Sequence, residues 1–461
     1  MTTTRDFSVR GRQVTVAGAA RSGIAAAELL VRRGAKVTIS DVRDRIDDAA
    51  RLEALGIAME TGGHQIPTFT RADLVVVSPG VPWRAAPLEA ARAAGVPVMG
   101  ELEMASRWLR GRLVAITGTK GKSTTTTLAG RMLEEGGRRV LVGGNIGVAL
   151  SAQVDDSTDD TIHVVEASSF QLEASDTFHP WTAVLLNFSP DHLDRHATEA
   201  EYAAAKGRIF VNQTSGDWAI VNADDEPALG IAAGAAASRV PFSAVRTLGR
   251  GVSIERGVIV RRRDEGVAPL VPVSSVRLLG RHLLADVVAA AAVADLAGVD
   301  ADAMTRAVEG FTGLEHALEP AGEVGGVRFV NDSKATNIEA AQRAIACFGD
   351  GLVVILGGRF KGGDLRELAP ALEVRRATVV AIGEARGLVR EALGDIVPVR
   401  DADGMSAAVR TAFSCAAPGS VVLLAPACAS FDMFRDYAER GRVFKQEVAR
   451  LRDEWSEGRA Q

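Results

Sequence analysis

Two lysines and three hydroxyls sit in a glycine-bearing turn at Gly118-Thr119-Lys120-Gly121-Lys122-Ser123-Thr124. Glycines let backbone N–H groups turn inward around phosphate oxygens, and a helix start adds positive potential. A lysine at position 122 then meets the β/γ charge, and a hydroxyl reaches a magnesium ion. The apolar run Leu113–Thr117 before the turn reads as a strand and the Thr-rich stretch after it as a helix start. The general P-loop spacing would put glycine where Ile116 stands, so this is a shortened form. Glu166 ends a buried strand near Ile162–Val165, where a carboxylate is costly unless it meets a cation. His192 lies in an acid- and His-rich turn after the strand Ala183–Leu186. Both strand ends should share the rim of a parallel sheet with the phosphate loop, where open α/β sheets bind ligands. Ser123 and Glu166 are therefore expected on a magnesium ion that bridges nucleotide phosphates. Taken alone, His192 reads better as a turn histidine, because magnesium prefers oxygen. Taken alone, Lys206 reads as a solvated lysine on the helical stretch Glu201–Phe210.

The elements that must position these groups are short apolar runs alternating with helical patterns, the signature of parallel sheets with covering helices. A first block has strands Gln13–Ala17, Lys36–Ser40 and Leu74–Val77; a second runs from Leu113 through Trp218–Val221. A third has strands Val327–Val330, Leu352–Leu356, Thr378–Ile382 and Val421–Leu424, and Val252 to Val276 looks like a β insertion. The expected fold is α/β in three domains: a Rossmann-like domain over 1–110, a P-loop ATPase-type domain over 111–312, and a second Rossmann-like domain over 313–461. In the first, Gly18-Ala19-Ala20-Arg21-Ser22-Gly23 followed by Asp41 is a dinucleotide-type fingerprint with alanine at the middle glycine, which by itself leaves NAD open. In the last, Lys361 stands among glycines, either as an exposed loop charge or as a grip on a substrate carboxylate. A composition of 47% hydrophobic and 24% charged residues excludes a disordered chain, and a net charge of -5 gives no general attraction to nucleic acid. Three cysteines make no disulfide framework, and neither a signal core nor a span for a bilayer is visible. The expectation is a cytoplasmic monomer with small-molecule substrates and neither nucleic-acid nor membrane partners.

The tight Gly-Thr-Lys-Gly-Lys-Ser form resembles the Mur ligase family, and the resemblance extends along nearly the whole chain. Gly143-Gly144-Asn145-Ile146-Gly147 comes next, then Glu166-Ala167-Ser168-Ser169-Phe170-Gln171-Leu172-Glu173. Asn187 to His196, Asn222-Ala223-Asp224-Asp225, Asn331 to Asn337, and Pro426-Ala427-Cys428-Ala429-Ser430 follow in order. The strings at 168–173 and 331–337 are similar to the branch that adds glutamate. The resemblance implies an ATP-dependent ligase that joins D-glutamate to UDP-N-acetylmuramoyl-L-alanine through an acyl phosphate, in peptidoglycan precursor synthesis.

That resemblance also implies roles. Lys122, Glu166, His192 and Lys206 would be catalytic, with Glu166 and His192 serving a second magnesium held by a carbamoylated Lys206. The loop from Gly118 to Thr124 and Asp332 would hold ATP, and Ser22, Asp41, Ser78 and Gly80 the uridine diphosphate. Asn145 and Ser168 would face the sugar-peptide end, and Thr336, Lys361, Ser430 and Phe431 the incoming glutamate. The chain departs from the family pattern at three places. Leu283 and Asp286 stand where two asparagines near adenine are common, Ala317 where an arginine near the phosphates is common, and Tyr437 where phenylalanine is frequent. Arg359 or Lys361 is the candidate to replace the missing arginine. The rivals are another Mur or folylpolyglutamate-type ligase, and a nucleotide-binding regulator without catalysis.

Overall fold

Runs of Val, Ile, Leu and Ala that end at glycine turns become strands buried on both faces, and helices cover them. In the computed structural model, which describes residues 7–46, 48–192, 195–277 and 283–459, these strands form three sheets. The first contains β1 (Gln13–Ala17), β2 (Lys36–Ser40), β3 (Ala58–Glu60), β4 (Leu74–Val77) and β5 (Val98–Gly100), all parallel in the order β3-β2-β1-β4-β5. Strand order reverses between β1 and β4, which opens a crevice at their carboxyl ends.

The second sheet has nine strands: β6 (Arg112–Thr117), β7 (Arg139–Gly144), β8 (Thr161–Glu166), β9 (Thr182–Leu185), β10 (Trp218–Asn222), β11 (Ser238–Ser243), β12 (Gly251–Glu255), β13 (Val258–Arg263) and β14 (Gly266–Pro272). Their order is β14-β13-β12-β11-β10-β9-β6-β8-β7, parallel from β7 to β12 and antiparallel over the last three. β6 runs between β8 and β9, so the loop after it opens at the centre of the sheet's carboxyl edge. The helix Leu283–Leu296 packs on the helix Lys122–Glu135 that follows the loop, and it is buried from Asp286 to Ala294.

The third sheet holds β15 (Glu319–Val324), β16 (Val327–Asn331), β17 (Val353–Gly357), β18 (Thr378–Ile382), β19 (Val399–Asp401) and β20 (Val421–Leu424), in the order β15-β16-β20-β17-β18-β19 with only β15 antiparallel. The described residues fall into two compact units, one carrying the first two sheets through Gly310 and the other carrying the third from Phe311.

Within the first unit the two sheets are bolted together by carboxylates of the helix Glu101–Ser106. Glu103, fully buried, accepts from the backbone N–H of Asp176, Thr177 and Phe178, from the Thr177 hydroxyl and from Arg107. Glu101 accepts from the Ser151 amide and hydroxyl at 2.7 and 2.6 Å. The linker between the sheets is also held. The Ser157 hydroxyl accepts from the Arg110 amide and donates to the Arg110 carbonyl, and the guanidinium is bidentate on Asp159. Gly111 (φ +78) lies so close to the carbonyl of Thr161 that a Cβ would stand 2.2 Å from it.

Candidate active site

Thr117 ends β6 and Gly118, at φ +158, turns the chain away from the sheet. Gly121 (φ +82) caps the helix Lys122–Glu135, and a Cβ there would lie 2.1 Å from a carboxylate oxygen of Asp286. Asn187, just after β9, clamps the loop: its side chain accepts from the Lys120 amide at 2.9 Å and donates to the Lys120 carbonyl at 3.1 Å. Its own carbonyl accepts from the Thr119 amide. The Thr119 hydroxyl donates to the Ser189 carbonyl and accepts from Tyr202. Asn187, Tyr202 and Asp286 were given no role from sequence, because a clamp by residues 67 to 165 positions away leaves no local pattern.

Two lysine Nζ atoms converge on one carbonyl. Lys122 Nζ donates to the carbonyls of Gly118 and Thr119 at 2.9 Å, and Lys206 Nζ donates to that of Gly118 at 2.7 Å. Lys206 is only 1% exposed and lies 4.6 Å over the Tyr202 ring, so the solvated lysine expected from the residue alone is corrected. Burial pulls its pKa down to about 6, Lys122 pushes in the same sense, and Asp191 and Glu166 oppose. Glu166 ends β8 with 2% exposure; Oε1 accepts from Asn145 Nδ2 at 2.6 Å, and Oε2 is buried without a protein partner among the described residues.

His192 (φ +56) faces the Phe170 ring at 5.1 Å and the Asp191 carboxylate at 3.8 Å, with no described hydrogen bond to Glu166. His196 is buried, stacks on Phe170 and shares a 3.0 Å hydrogen bond with Ser169. Leu193, Asp194 and His282 lie outside the described residues. Among the described residues no three His, Cys, Asp or Glu side chains gather as a metal cage. Glu166 Oε2 and the Ser123 hydroxyl are oxygen donors suited to magnesium beside a phosphate loop, and the unmet buried oxygen fits a cation.

At the first sheet's crevice, Asp41 closes the glycine turn from within, accepting from the Ala19 amide at 2.6 Å and from Arg43 at 2.9 Å. Burial would raise its pKa, but the hydrogen bonds from Arg43 and Ala19 outweigh that and it falls to about 2. Ser78 packs against Gly18 in the same turn, and Arg195 reaches the Gly80 carbonyl from the second sheet. Ser168 caps the helix Ser169–Glu173 in a capping box with Gln171.

In the second unit Lys361 Nζ donates to the Thr336 hydroxyl at 3.3 Å, so these two predicted glutamate contacts are neighbours. Ser430 is buried, Phe431 is 64% exposed, and Tyr437 meets the His316 ring edge-on. Asp332 accepts from the Leu318 amide, and burial raises its pKa to about 7. Arg359 is bidentate on Glu384 at 3.1 and 2.9 Å, which occupies one of the two groups, Arg359 and Lys361, expected to stand in for the missing arginine.

A shortened phosphate loop on a parallel sheet, a cation-seeking buried carboxylate and a buried lysine define a P-loop α/β enzyme of nucleotide chemistry. Three family models match in order: "Mur ligase MurD-like, N-terminal domain" over residues 12–100, "Mur ligase middle domain" over 116–294 and "Mur ligase, glutamate ligase domain" over 318–428. The chain is 47% identical to the UDP-N-acetylmuramoylalanine--D-glutamate ligase of Acidobacterium capsulatum, over 96% of this chain and 97% of that one. It is 45% identical to the ligase of the same name from Geobacter metallireducens, over 96% and 99%. In fold it is similar to the UDP-N-acetylmuramate-alanine ligase of Thermotoga maritima (TM-score 0.59, 19% identity, 95% and 99% covered). It is likewise similar to a pseudomurein peptide ligase type C of Methanothermus fervidus (TM-score 0.58, 16% identity, 96% and 100% covered). The chain belongs to the Mur ligase family. Membership makes it an ATP-dependent ligase that forms an amide bond, in a family that uses ATP and magnesium. Among the described residues no helix is long and apolar enough to cross a membrane.

Proposed function

We propose that this chain adds D-glutamate to UDP-N-acetylmuramoyl-L-alanine, with ATP converted to ADP and phosphate, in peptidoglycan precursor synthesis. The substrates follow from end-to-end similarity to ligases of that name. The observation that carries the chemistry is the meeting of Lys122 and Lys206 at the Gly118 carbonyl, in the field of Glu166. Residues 1–110 are assigned to the uridine-linked substrate, 111–312 to ATP, and 313–461 to glutamate and part of the nucleotide. We place the protein in the cytoplasm, as a monomer without nucleic-acid or membrane partners.

A carboxylate carbon is a poor electrophile, so it must first be activated. The substrate carboxylate oxygen bonds to the γ-phosphorus of ATP as the bond to the β-bridging oxygen breaks and ADP leaves. Lys122 and the loop amides of Gly118–Thr124 orient and neutralise the phosphates during this step. Ser123, Glu166 and His192, with carbamoylated Lys206, would hold magnesium, which would supply charge stabilisation. The glutamate amine then attacks the acyl carbon, a proton leaves the nitrogen, and the C–O bond to phosphate breaks. Lys361 and Thr336, with Ser430 and Phe431, are assigned to the glutamate side chain and carboxylate. Lys206 is assigned as a carbamate: its uncharged amine forms an N–C bond to carbon dioxide and releases a proton, turning a buried cation site into an anion beside Glu166.

Phosphate release with UDP-N-acetylmuramoyl-L-alanine, ATP and magnesium tests this, with D-glutamate and L-glutamate in parallel. Turnover with the D-isomer is expected. Tight nucleotide binding without turnover on either isomer would leave the non-catalytic regulator as the better description.

A further inference from the structure

The two oxygens of Glu166 differ sharply. Oε1 takes the 2.6 Å hydrogen bond from Asn145, whereas Oε2 is buried and, among the described residues, unmet. The Asn145 amide also donates to the Glu166 carbonyl at 2.9 Å, so one residue grips Glu166 by main chain and side chain together. This close approach is built into the strand pair: Gly144 lies opposite Glu166 at φ +94, and a Cβ there would stand 2.5 Å from the Glu166 carbonyl. Gly143 is equally committed, since its Cβ would meet the Val148 carbonyl at 2.2 Å. From the first sheet, Arg21 in the glycine turn reaches the Asn145 carbonyl at 3.4 Å.

We propose that Asn145 is a positioning residue: it fixes the rotamer of Glu166 so that Oε2 faces the divalent cation, and through Arg21 it links that aim to the turn assigned to the uridine diphosphate. The inference rests on the ligase reading above. A primary amide suits the task, because its N–H donor saturates one carboxylate oxygen and leaves the other to the metal. An apolar side chain would leave both oxygens to compete for orientations, and an acid would repel Glu166. Asn145 is itself exposed on its loop, so a substrate group can approach it without disturbing the hold on Glu166.

The test uses the full-length protein with a non-hydrolysable ATP analogue, titrated with Mn2+ and followed by electron paramagnetic resonance. N145A is expected to weaken Mn2+ binding about tenfold, the scale of losing a group that orients a metal ligand. The magnesium concentration for half-maximal turnover should rise in parallel, with the melting temperature and the KM for ATP little changed. N145S keeps a polar loop residue too short to span to the carboxylate and should behave as N145A does. Mn2+ affinity within twofold of wild type, with a raised KM for the nucleotide sugar alone, would make Asn145 a simple substrate contact and overturn the proposal. A wild-type protein that binds no Mn2+ with the analogue would instead overturn the ligase reading.

Discussion

Lys206 illustrates how a side chain's surroundings change its chemistry. A lysine in water is protonated at neutral pH and cannot attack carbon dioxide; held at 1% exposure against Lys122, with its pKa near 6, most of it is the free amine at pH 7. Carbon-13 spectra of protein equilibrated with labelled bicarbonate should therefore show a carbamate signal that K206A lacks. K206R, which keeps a fixed positive charge, is expected to lose turnover by roughly 100-fold or more, the scale of removing one preorganised stabilising group. Labelled carbamate in K206A, or near-normal turnover of K206R, would refute the assignment. Because the amine must be neutral to react, carbamate formation is expected to fade as pH drops below about 6. The burial of Lys206 had one faint trace in the sequence. Tyr202, Ala205, Lys206 and Ile209 recur at helical spacing, and all four are buried. A lysine on that stripe is usually a solvated one, so the pattern alone did not decide it.

At the scale of elements, strands were readable where apolar residues run unbroken. β1, β2, β4, β18 and β20 have the expected bounds, and β6, β8, β9, β10, β16 and β17 differ by a residue or two at one or both ends. β3, β5 and β19 are three residues long, too short for periodicity to register, and β15 (Glu-Pro-Ala-Gly-Glu-Val) carries proline and glycine that argue against a strand. β15 is tolerated as an antiparallel edge, where one face of hydrogen bonding is free. The phosphate loop and Glu166 could be placed from their strands, whereas Asn187 and Asp286 could not, because their partners come from other elements. The same long-range character holds the linker near Arg110. His163 on β8, fully buried, bonds Ser157 at 2.7 Å, and Ser157 in turn brackets the Arg110 backbone. Burial lowers the pKa of His163 to about 4, so between pH 6.5 and 4 the unfolded chain takes up a proton that the folded one does not. Stability is therefore lost as pH falls through that window, by on the order of 3 kcal/mol from this group. Urea unfolding of H163Q should show an acid-side loss smaller than that of wild type by this amount. Parallel profiles would mean that His163 is not the group responsible.

At the scale of the whole molecule, the first two sheets are joined by a short linker between the helix Glu101–Ser106 and β6. In the structure the linker is tied by Ser157, Asp159 and the close fit of Gly111, and the first two sheets share one compact unit. Glu103 is a further tie between the two sheets, and E103A would leave three backbone N–H groups, a hydroxyl and Arg107 without their acceptor. A loss of about 3–5 kcal/mol is expected, with faster amide exchange at 176–178. E103Q keeps an acceptor oxygen and should lose less. Unchanged exchange in E103A would show that the seam is held by packing alone. Glu103 also has a place in the order of synthesis. The ribosome releases it 73 to 75 residues before the amides it must accept. The first sheet can form as soon as its strands emerge. Its last helix, however, carries two carboxylates that have nothing to bind until the second sheet is under way. The N-terminal sheet is thus an early-folding part with a late-closing face. Cut out as a fragment, it would leave Glu101 and Glu103 in water.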